Sequence, residues 1–218
     1  MKGIVIALPQ PEKQEDKPPL RTRLALFFGK YGMMMFFVAV LISGVVFGAV
    51  HTVSDGSNAL GKAERIFSSL PLTFEKKQPI AVFADSFSAA FIFTAALCFL
   101  ALTPAGLPSI PAVVFFRGYE YGVFSCCLCK VYGFKGLAYY ISVALSGTFL
   151  SAMALVYLSQ YCIGCSASMM LAVSGRSPVT PLKERFGELM LHGAYSLIII
   201  VFASLTDTLL YFLIGRLF

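Results

Sequence analysis

Five long apolar stretches dominate this chain of 218 residues, and they constrain its fold more than any other feature. A helix needs about 20 apolar residues to cross the hydrocarbon core of a bilayer, and each stretch is roughly that long. Apolar residues make up 58% of the chain and charged residues 13%, which excludes an ordinary soluble domain. The sequence therefore predicts an all-α, polytopic membrane helix bundle with five transmembrane helices, at about 31–50, 80–102, 108–129, 137–162 and 194–214.

The segment before the first span sets the predicted orientation, because basic residues near the first helix usually stay in the cytoplasm. Residues 10–19 are polar, charged and rich in proline. We therefore predict a disordered cytoplasmic tail at 1–29, ahead of a single transmembrane domain at 30–218. This topology explains the net charge of +6, so we expect a multi-pass protein of the cell membrane whose partner is the lipid bilayer and not nucleic acid. The six basic residues that precede the first span are Lys2, Lys13, Lys17, Arg21, Arg23 and Lys30.

Two of the connections between spans carry predictions of their own. Prolines 104, 108 and 111 surround Gly106 between spans 2 and 3, which predicts a tight hairpin. If this hairpin is re-entrant, the orientation of all that follows is inverted. Residues 180–190 begin with Thr-Pro and then repeat apolar side chains at helical spacing. They are predicted to form an amphipathic helix in the membrane interface before the last span, as a strut or as a docking site for a partner.

Three charged residues lie deep within the predicted spans, namely Arg117, Glu120 and Asp207, whereas Asp85 lies in the first two turns of span 2. An ionised side chain facing lipid costs about 2.5 to 3.5 kcal/mol at the bilayer centre, so all three must face protein or water. Arg117 and Glu120 are three residues apart and can pair on one helix face, and Asp207 can accept a further hydrogen bond from the guanidinium. The cluster is either an interior contact that fixes which helices touch or the lining of an ion or substrate path.

Small residues recur at the spacing that lets helix backbones approach closely in a membrane. Gly44 and Gly48 form a GxxxG motif in span 1, and Gly118 and Gly122 form a second one in span 3. These motifs predict that spans 1 and 3, together with span 4, make the tightly packed centre of the bundle. The small residues of span 4 are Ser142, Ser146, Gly147 and Ser151.

Signatures of catalysis and of metal binding are missing from the sequence. Cys162 and Cys165 have CxxC spacing, but they supply two of the four ligands of a tetrahedral metal site, so we expect no metal and no other cofactor. There is no HExxH or GxSxG motif. Asp85 and Asp207 are the candidates for an intramembrane aspartyl pair, but we expect them at different depths. The sequence therefore predicts no catalytic residues and no enzymatic activity.

The hairpin and span 3 carry a pattern that resembles the stage II sporulation protein M (SpoIIM) family. Span 1 is similar to the first helix of that family. In one respect the chain departs from the family, because residues 141–155 lack the proline that members often carry in the fourth helix. That departure suggests a diverged paralogue. The matching segments are Gly106-Leu-Pro108, Arg117-Gly118-Tyr119 with Gly122, Gly133-Phe-Lys135-Gly136, and Ser43 to Ala49.

This resemblance implies a non-enzymatic membrane scaffold with five helices, which anchors cell-wall hydrolases that thin septal peptidoglycan during engulfment of the forespore. It implies that the loop after span 1 faces the wall and docks these membrane-anchored partners. The alternative from the residues alone is the permease subunit of a transporter, with the Arg117, Glu120 and Asp207 cluster at membrane depth. The charged residues of the loop are Asp55, Lys62, Glu64, Arg65, Glu75, Lys76 and Lys77.

Overall fold

A computed structural model describes residues 20–54, 78–175 and 182–213, and these residues are almost entirely helical. Residues 1–32 form one unit, of which the described part is helical, and residues 33–218 form a second unit that contains the bundle. The helices are α1 (Leu20–Ser54), α2 (Pro79–Ala101), α3 (Gly106–Tyr139), α4 (Leu145–Val173) and α5 (Leu182–Leu213), with a π-helical segment, Tyr140–Ala144, between α3 and α4.

Within the described part of the chain, five helices are long and apolar enough to cross a membrane. This confirms the predicted polytopic helical bundle. The candidate spans match the predicted ones for α2 closely and differ at the ends of the others. They are Gly32–Ser54, Pro79–Ala101, Gly106–Lys130, Leu145–Val173 and Lys183–Leu213.

The contacts of α3 give the directions of its neighbours. Gly118 lies against Leu41 and Gly122 lies against Val45, so α3 runs parallel to α1. Towards its own C-terminal end α3 reaches α4, where the Tyr121 hydroxyl bonds Ser151. At the start of α3, Gly106 lies beside Ser166 near the end of α4, so α3 and α4 are antiparallel.

The remaining helices alternate in the same way. Ser196 of α5 donates to the Ala154 carbonyl of α4, and Asp207 lies beside Gly147, so residue numbers fall along α4 as they rise along α5. Arg117 of α3 lies over the ring of Phe93, and the turn between α2 and α3 is short. All five helices therefore alternate in direction, as five complete crossings require, and the hairpin between α2 and α3 joins two full-length helices instead of forming a re-entrant loop.

Gly133 marks the end of the membrane-spanning part of α3. Its backbone has φ of 57° and ψ of −134°, which interrupts the helical geometry inside α3. An L-residue side chain is disfavoured at that φ, whereas glycine adopts it freely. The chain reverses at this bend, so that the ring of Tyr140, directly after α3, already packs against Phe124, with centroids 5.9 Å apart.

Three predicted boundaries are wrong. Residues 20–29 were assigned to the tail, but α1 begins at Leu20, because leucine, alanine and arginine favour helix even where two basic residues interrupt the apolar run. Residues 1–19 of that tail lie outside the described residues. Span 4 is predicted at 137–162, but α4 is Leu145–Val173, because residues 137–139 complete α3 and the π-helical segment Tyr140–Ala144 follows them.

The predicted interfacial helix is also corrected. Residues 182–190 are the first turns of α5, which continues without a break to Leu213. Leu189 is fully buried in the bundle core and anchors this end of the helix against its neighbours. Phe186 and Met190 remain exposed. The apolar periodicity predicts a helix here, and the structure has one. No helix-ending signal separates residues 182–190 from the last span, so the two segments form one helix.

Apolar side chains occupy both the interior and the outer surface of the bundle. The largest buried ones include Phe37, Leu97, Ile110 and Leu158, each without exposed surface. The outside carries many large apolar side chains, such as Phe99 at 70% exposure. An apolar exterior around an apolar core is what a helix bundle needs in lipid, where the hydrophobic effect does not drive helices together.

Candidate functional site: a polar cluster in the bundle interior

The two GxxxG motifs meet each other and bring α1 and α3 into backbone contact. A Cβ added at Gly118 would overlap the backbone carbonyl of Leu41, and one added at Gly44 would overlap that of Phe115. Gly48 and Gly122 face the partner helix in the same way. The structure therefore places all four predicted packing glycines in one parallel helix pair. This close approach fixes the position of α3, the helix that carries Arg117.

Lys130 closes the far end of this helix pair. Its ammonium group donates a hydrogen bond to the backbone carbonyl of Thr52, which lies in the last turn of α1. The last carbonyls of a helix have no partner within the helix, and a positive charge there is favourable with respect to the helix dipole. The sequence alone does not predict this contact, because nothing near Lys130 indicates which helix end its side chain reaches.

Arg117 and Glu120 form a buried ion pair on α3. The guanidinium Nη1 donates to Glu120 Oε2 at 2.5 Å, and the two residues are 5% and 4% exposed. The guanidinium carbon also lies 4.9 Å from the ring centroid of Phe93 and 4.6 Å from that of Tyr121. The cation is therefore held by a carboxylate and two aromatic faces within the protein, and this explains how a charge persists at membrane depth.

A chain of hydrogen bonds extends from Arg117 into α4. Arg117 Nε donates to the Tyr121 hydroxyl at 2.9 Å, and this hydroxyl lies 2.8 Å from Ser151 Oγ. Ser151 Oγ donates to the carbonyl of Thr148 at 3.0 Å, so Tyr121 must be the donor to Ser151. Every step has a donor and an acceptor, and the network ties α3 to α4. Sequence reasoning missed Tyr121 and Ser151 as polar partners, because their pairing depends on the α3–α4 register.

Asp207 belongs to a different environment. It does not accept a hydrogen bond from Arg117 among the described contacts, contrary to the bond that the sequence analysis considered. Its carboxyl group lies against the Cα of Gly147 in α4 and within reach of the Ser86 hydroxyl of α2. Its Oδ1 is inaccessible and has no hydrogen-bond partner among the described residues. The predicted cluster is therefore two sites: a paired one at Arg117 and Glu120, and an unpaired one at Asp207.

Asp85 lies at the level of Asp207, not at a different depth. Ser86 is adjacent to Asp85 in α2 and is close to the carboxyl of Asp207, which places both aspartates at one height in the bundle. Successive helix residues point about 100° apart, so Asp85 and Ser86 face different neighbours. The expectation of different depths was wrong because it took both spans by residue number, without the antiparallel pairing of α2 and α5.

The cysteines are all free. Cys162 and Cys165 lie buried in α4, and the Cys162 thiol lies within hydrogen-bond reach of Cys98 in α2. Among the described residues, no group of three or more His, Cys, Asp or Glu side chains is placed to hold a metal ion.

Each of the two histidines lies within hydrogen-bond distance of a tyrosine hydroxyl. His51 Nδ1 lies 3.1 Å from the Tyr119 hydroxyl, and His192 Nδ1 lies 2.7 Å from the Tyr157 hydroxyl. The His192 ring also stacks on Tyr161, with centroids 3.6 Å apart. Amphipathic aromatic rings of this kind are typical of membrane interfaces. The histidines have hydrogen-bond partners and do not approach Arg117 or Asp207 in the described contacts.

The loop predicted to dock a partner lies outside the described residues. This holds for all of Asp55, Lys62, Glu64, Arg65, Glu75, Lys76 and Lys77. The structure does place the two ends of this loop, at Ser54 of α1 and Gln78 before α2, at the same end of the bundle as Lys130.

Comparison of the sequence with protein-family models, with curated proteins and with solved structures finds no significant match.

Proposed function

We propose that this protein is a non-enzymatic integral membrane scaffold whose bundle holds an extramembrane loop in place for a partner. The observation that carries this proposal is the Arg117–Glu120 pair. A charge that lines a transport path must meet water or substrate, whereas both members of this pair are almost fully buried and the guanidinium is enclosed by Phe93 and Tyr121. Such a pair fixes which helices touch, and this is a structural task.

The rigid α1–α3 contact supports the same proposal. Glycines of both helices meet backbone to backbone, and Lys130 joins the end of α1 to α3 directly before the loop of residues 55–77. A loop that leaves such a fixed end is well suited to present a binding surface. With the amino terminus in the cytoplasm, as the basic residues before α1 favour, this loop faces the outside of the cell membrane.

The partner class comes from the resemblance to the SpoIIM family alone. We propose membrane-anchored cell-wall hydrolases, which would act on septal peptidoglycan during engulfment of the forespore. The charged residues of the loop, from Asp55 to Lys77, are the proposed docking surface. Because residues 141–155 depart from the family pattern, the chain as a diverged paralogue would bind a different wall enzyme.

One observation favours the permease alternative, namely the unpaired carboxyl oxygen of Asp207. Against it, Arg117 and Glu120 are almost fully buried. A groove of about 370 Å³ between α2 and α5 is lined only by apolar side chains, among them Phe87, Phe91 and Phe202. It therefore offers no polar surface to an ion or polar substrate.

Chemical crosslinking followed by co-purification tests the scaffold proposal. The full chain is tagged, crosslinked in sporulating cells and purified from membranes, and we expect it to bring down wall hydrolases. A variant with Lys76→Glu and Lys77→Glu should lose that capture, whereas Lys183→Glu at the other end of the bundle should retain it. Capture of no wall hydrolase, together with normal spores after deletion of the gene, would contradict the proposal. Ion or solute flux through liposomes that depends on Arg117 would favour the permease instead.

A further inference from the structure

Asp207 is the one described side chain whose buried oxygen has no hydrogen-bond partner. Its carboxyl group packs onto Gly147, where any Cβ would overlap it, so α4 provides a notch that only glycine can form. The other neighbour is the Ser86 hydroxyl of α2. Three helices therefore meet around one carboxyl group whose hydrogen bonding is incomplete.

The charges at this depth do not balance when every group is ionised. Arg117 supplies one positive charge, and the carboxylate of Glu120 already neutralises it at 2.5 Å. Asp207 would then be a further negative charge beside α4, as Asp85 would be on α2 at the same height, and Gly147 offers no countercharge. Asp207 as a whole is only partly buried, but its Oδ1 has no access to solvent and no hydrogen-bond partner among the described residues. A desolvated, unbonded carboxylate oxygen is unfavourable, and protonation of the group relieves this cost.

We propose that Asp207, seated between Gly147 and Ser86, is a proton-binding site of the bundle. The ligand is a proton and not a metal cation, because no group of three or more His, Cys, Asp or Glu side chains that could hold a metal lies among the described residues. The protonated carboxyl donates its O–H to the Ser86 hydroxyl and removes the surplus charge. Loss of the proton leaves a carboxylate pressed against α4, which weakens the packing of α5 on α2 and α4.

The other titratable groups around this site are known from the same contacts. Arg117 of α3 acts on the carboxyl electrostatically without a direct hydrogen bond, and Tyr139 of α3 and Tyr211 of α5 form the next layer. Asp85 precedes Ser86 on α2 and has an interaction of its own. Because Asp85 is an acid at the same height as Asp207, the experiment below includes an Asp85→Asn variant as its matched control.

Infrared spectroscopy of the full chain in nanodiscs tests the proposal, because a protonated carboxyl has a carbonyl stretch that a carboxylate lacks. We expect one such band at neutral pH, and we expect its loss in Asp207→Asn and its retention in Asp85→Asn. Carbon-13 labelling of aspartate carboxyls should shift the band in the unmutated chain, which identifies an aspartate even if a variant fails to fold. Absence of the band, its persistence in Asp207→Asn, or no shift on labelling would overturn the proposal.

Thermal unfolding gives a second and independent readout. The folded bundle favours the protonated carboxyl, so its stability is greatest at low pH and falls as rising pH removes the proton. As the pH rises and Asp207 loses its proton, we expect the unfolding midpoint of the unmutated chain to fall by roughly 2 to 4 °C. The midpoint of Asp207→Asn should not show this fall. An equal fall in both, or a midpoint that responds to sodium and not to pH, would contradict proton binding at Asp207.

Discussion

The bundle contains two polar sites that accommodate an ionisable group in different ways: Arg117 is buried, whereas Asp207 is only partly buried. Arg117 is a permanent charge, and its surroundings supply a carboxylate, a hydroxyl and two aromatic faces. Asp207 has a glycine notch, a serine and one oxygen without a partner. The comparison shows that a group that cannot lose its charge requires a full set of partners, whereas an acid can become neutral and needs fewer.

The largest expected effect comes from removing the countercharge of the first site. Glu120→Gln leaves the buried guanidinium without a carboxylate, and this should lower the free energy of unfolding by about 3 to 5 kcal/mol. Unfolding in mixed micelles, followed by circular dichroism, measures it. Glu184→Gln on the exposed start of α5 is the matched control and should change little. If Glu120→Gln lowers the free energy of unfolding no more than Glu184→Gln does, Arg117 is solvated, and it then differs from Asp207 in a way that this account does not describe.

The next effect tests whether the α1–α3 contact positions the Arg117 site. Gly118→Ala forces a Cβ into the Leu41 carbonyl, and we expect a loss of about 1 to 3 kcal/mol, because a backbone cannot move aside as a side chain can. Gly187→Ala is the control, since nothing lies near its Cβ position and alanine favours helix. Equal stability of the two variants, measured in the same micelles, would show that the helices are not in backbone contact.

A smaller effect sharpens the comparison at the level of single hydrogen bonds. Tyr121→Phe removes the hydroxyl that accepts from Arg117 and donates to Ser151, and the expected loss is about 1 to 3 kcal/mol. Tyr195→Phe alters a ring that is 51% exposed and should be nearly neutral. If Tyr121→Phe is as mild as the control, the network between α3 and α4 contributes nothing measurable.

The smallest effect concerns the end of the helix pair. Lys130→Met removes the hydrogen bond to the Thr52 carbonyl and should destabilise the end of α1 by about 0.3 to 1 kcal/mol. Faster amide hydrogen exchange confined to the last turn of α1 is the expected observation. Unchanged amide exchange in that turn would contradict the proposal that Lys130 fixes the end of α1 before the loop.

Much of this fold was predictable because the relevant signals are local. Five spans follow from the length of apolar runs, and the two GxxxG motifs identify two helices whose backbones meet. The span boundaries near Gly133 are harder to predict from the sequence, because a bend and a π-helical segment do not change the pattern of apolar residues. The connection between α4 and α5 is also shorter than the predicted one between 162 and 194, because α4 continues through Cys162 and Cys165 to Val173 and α5 begins at Leu182.

The polar cluster shows the limit of sequence reasoning more clearly. The pairing of Arg117 with Glu120 follows from their spacing of three residues on one helix. Tyr121, Ser151 and Phe93 complete that site from three helices, and only the register between helices brings them together. The separation of Asp207 from Arg117 depends on the antiparallel packing of α5 against α4, which spacing along the chain does not reveal.

The double replacement Arg117→Met with Glu120→Met tests the central claim most directly. If the pair is a dry structural contact, removing both charges leaves no unpaired group. We then expect a stability within about 1 kcal/mol of the unmutated chain, despite the large loss in Glu120→Gln alone. Capture of the partner by the full chain should also be unchanged. A double variant that folds normally but loses its cellular function, or is as unstable as the single one, would contradict the account.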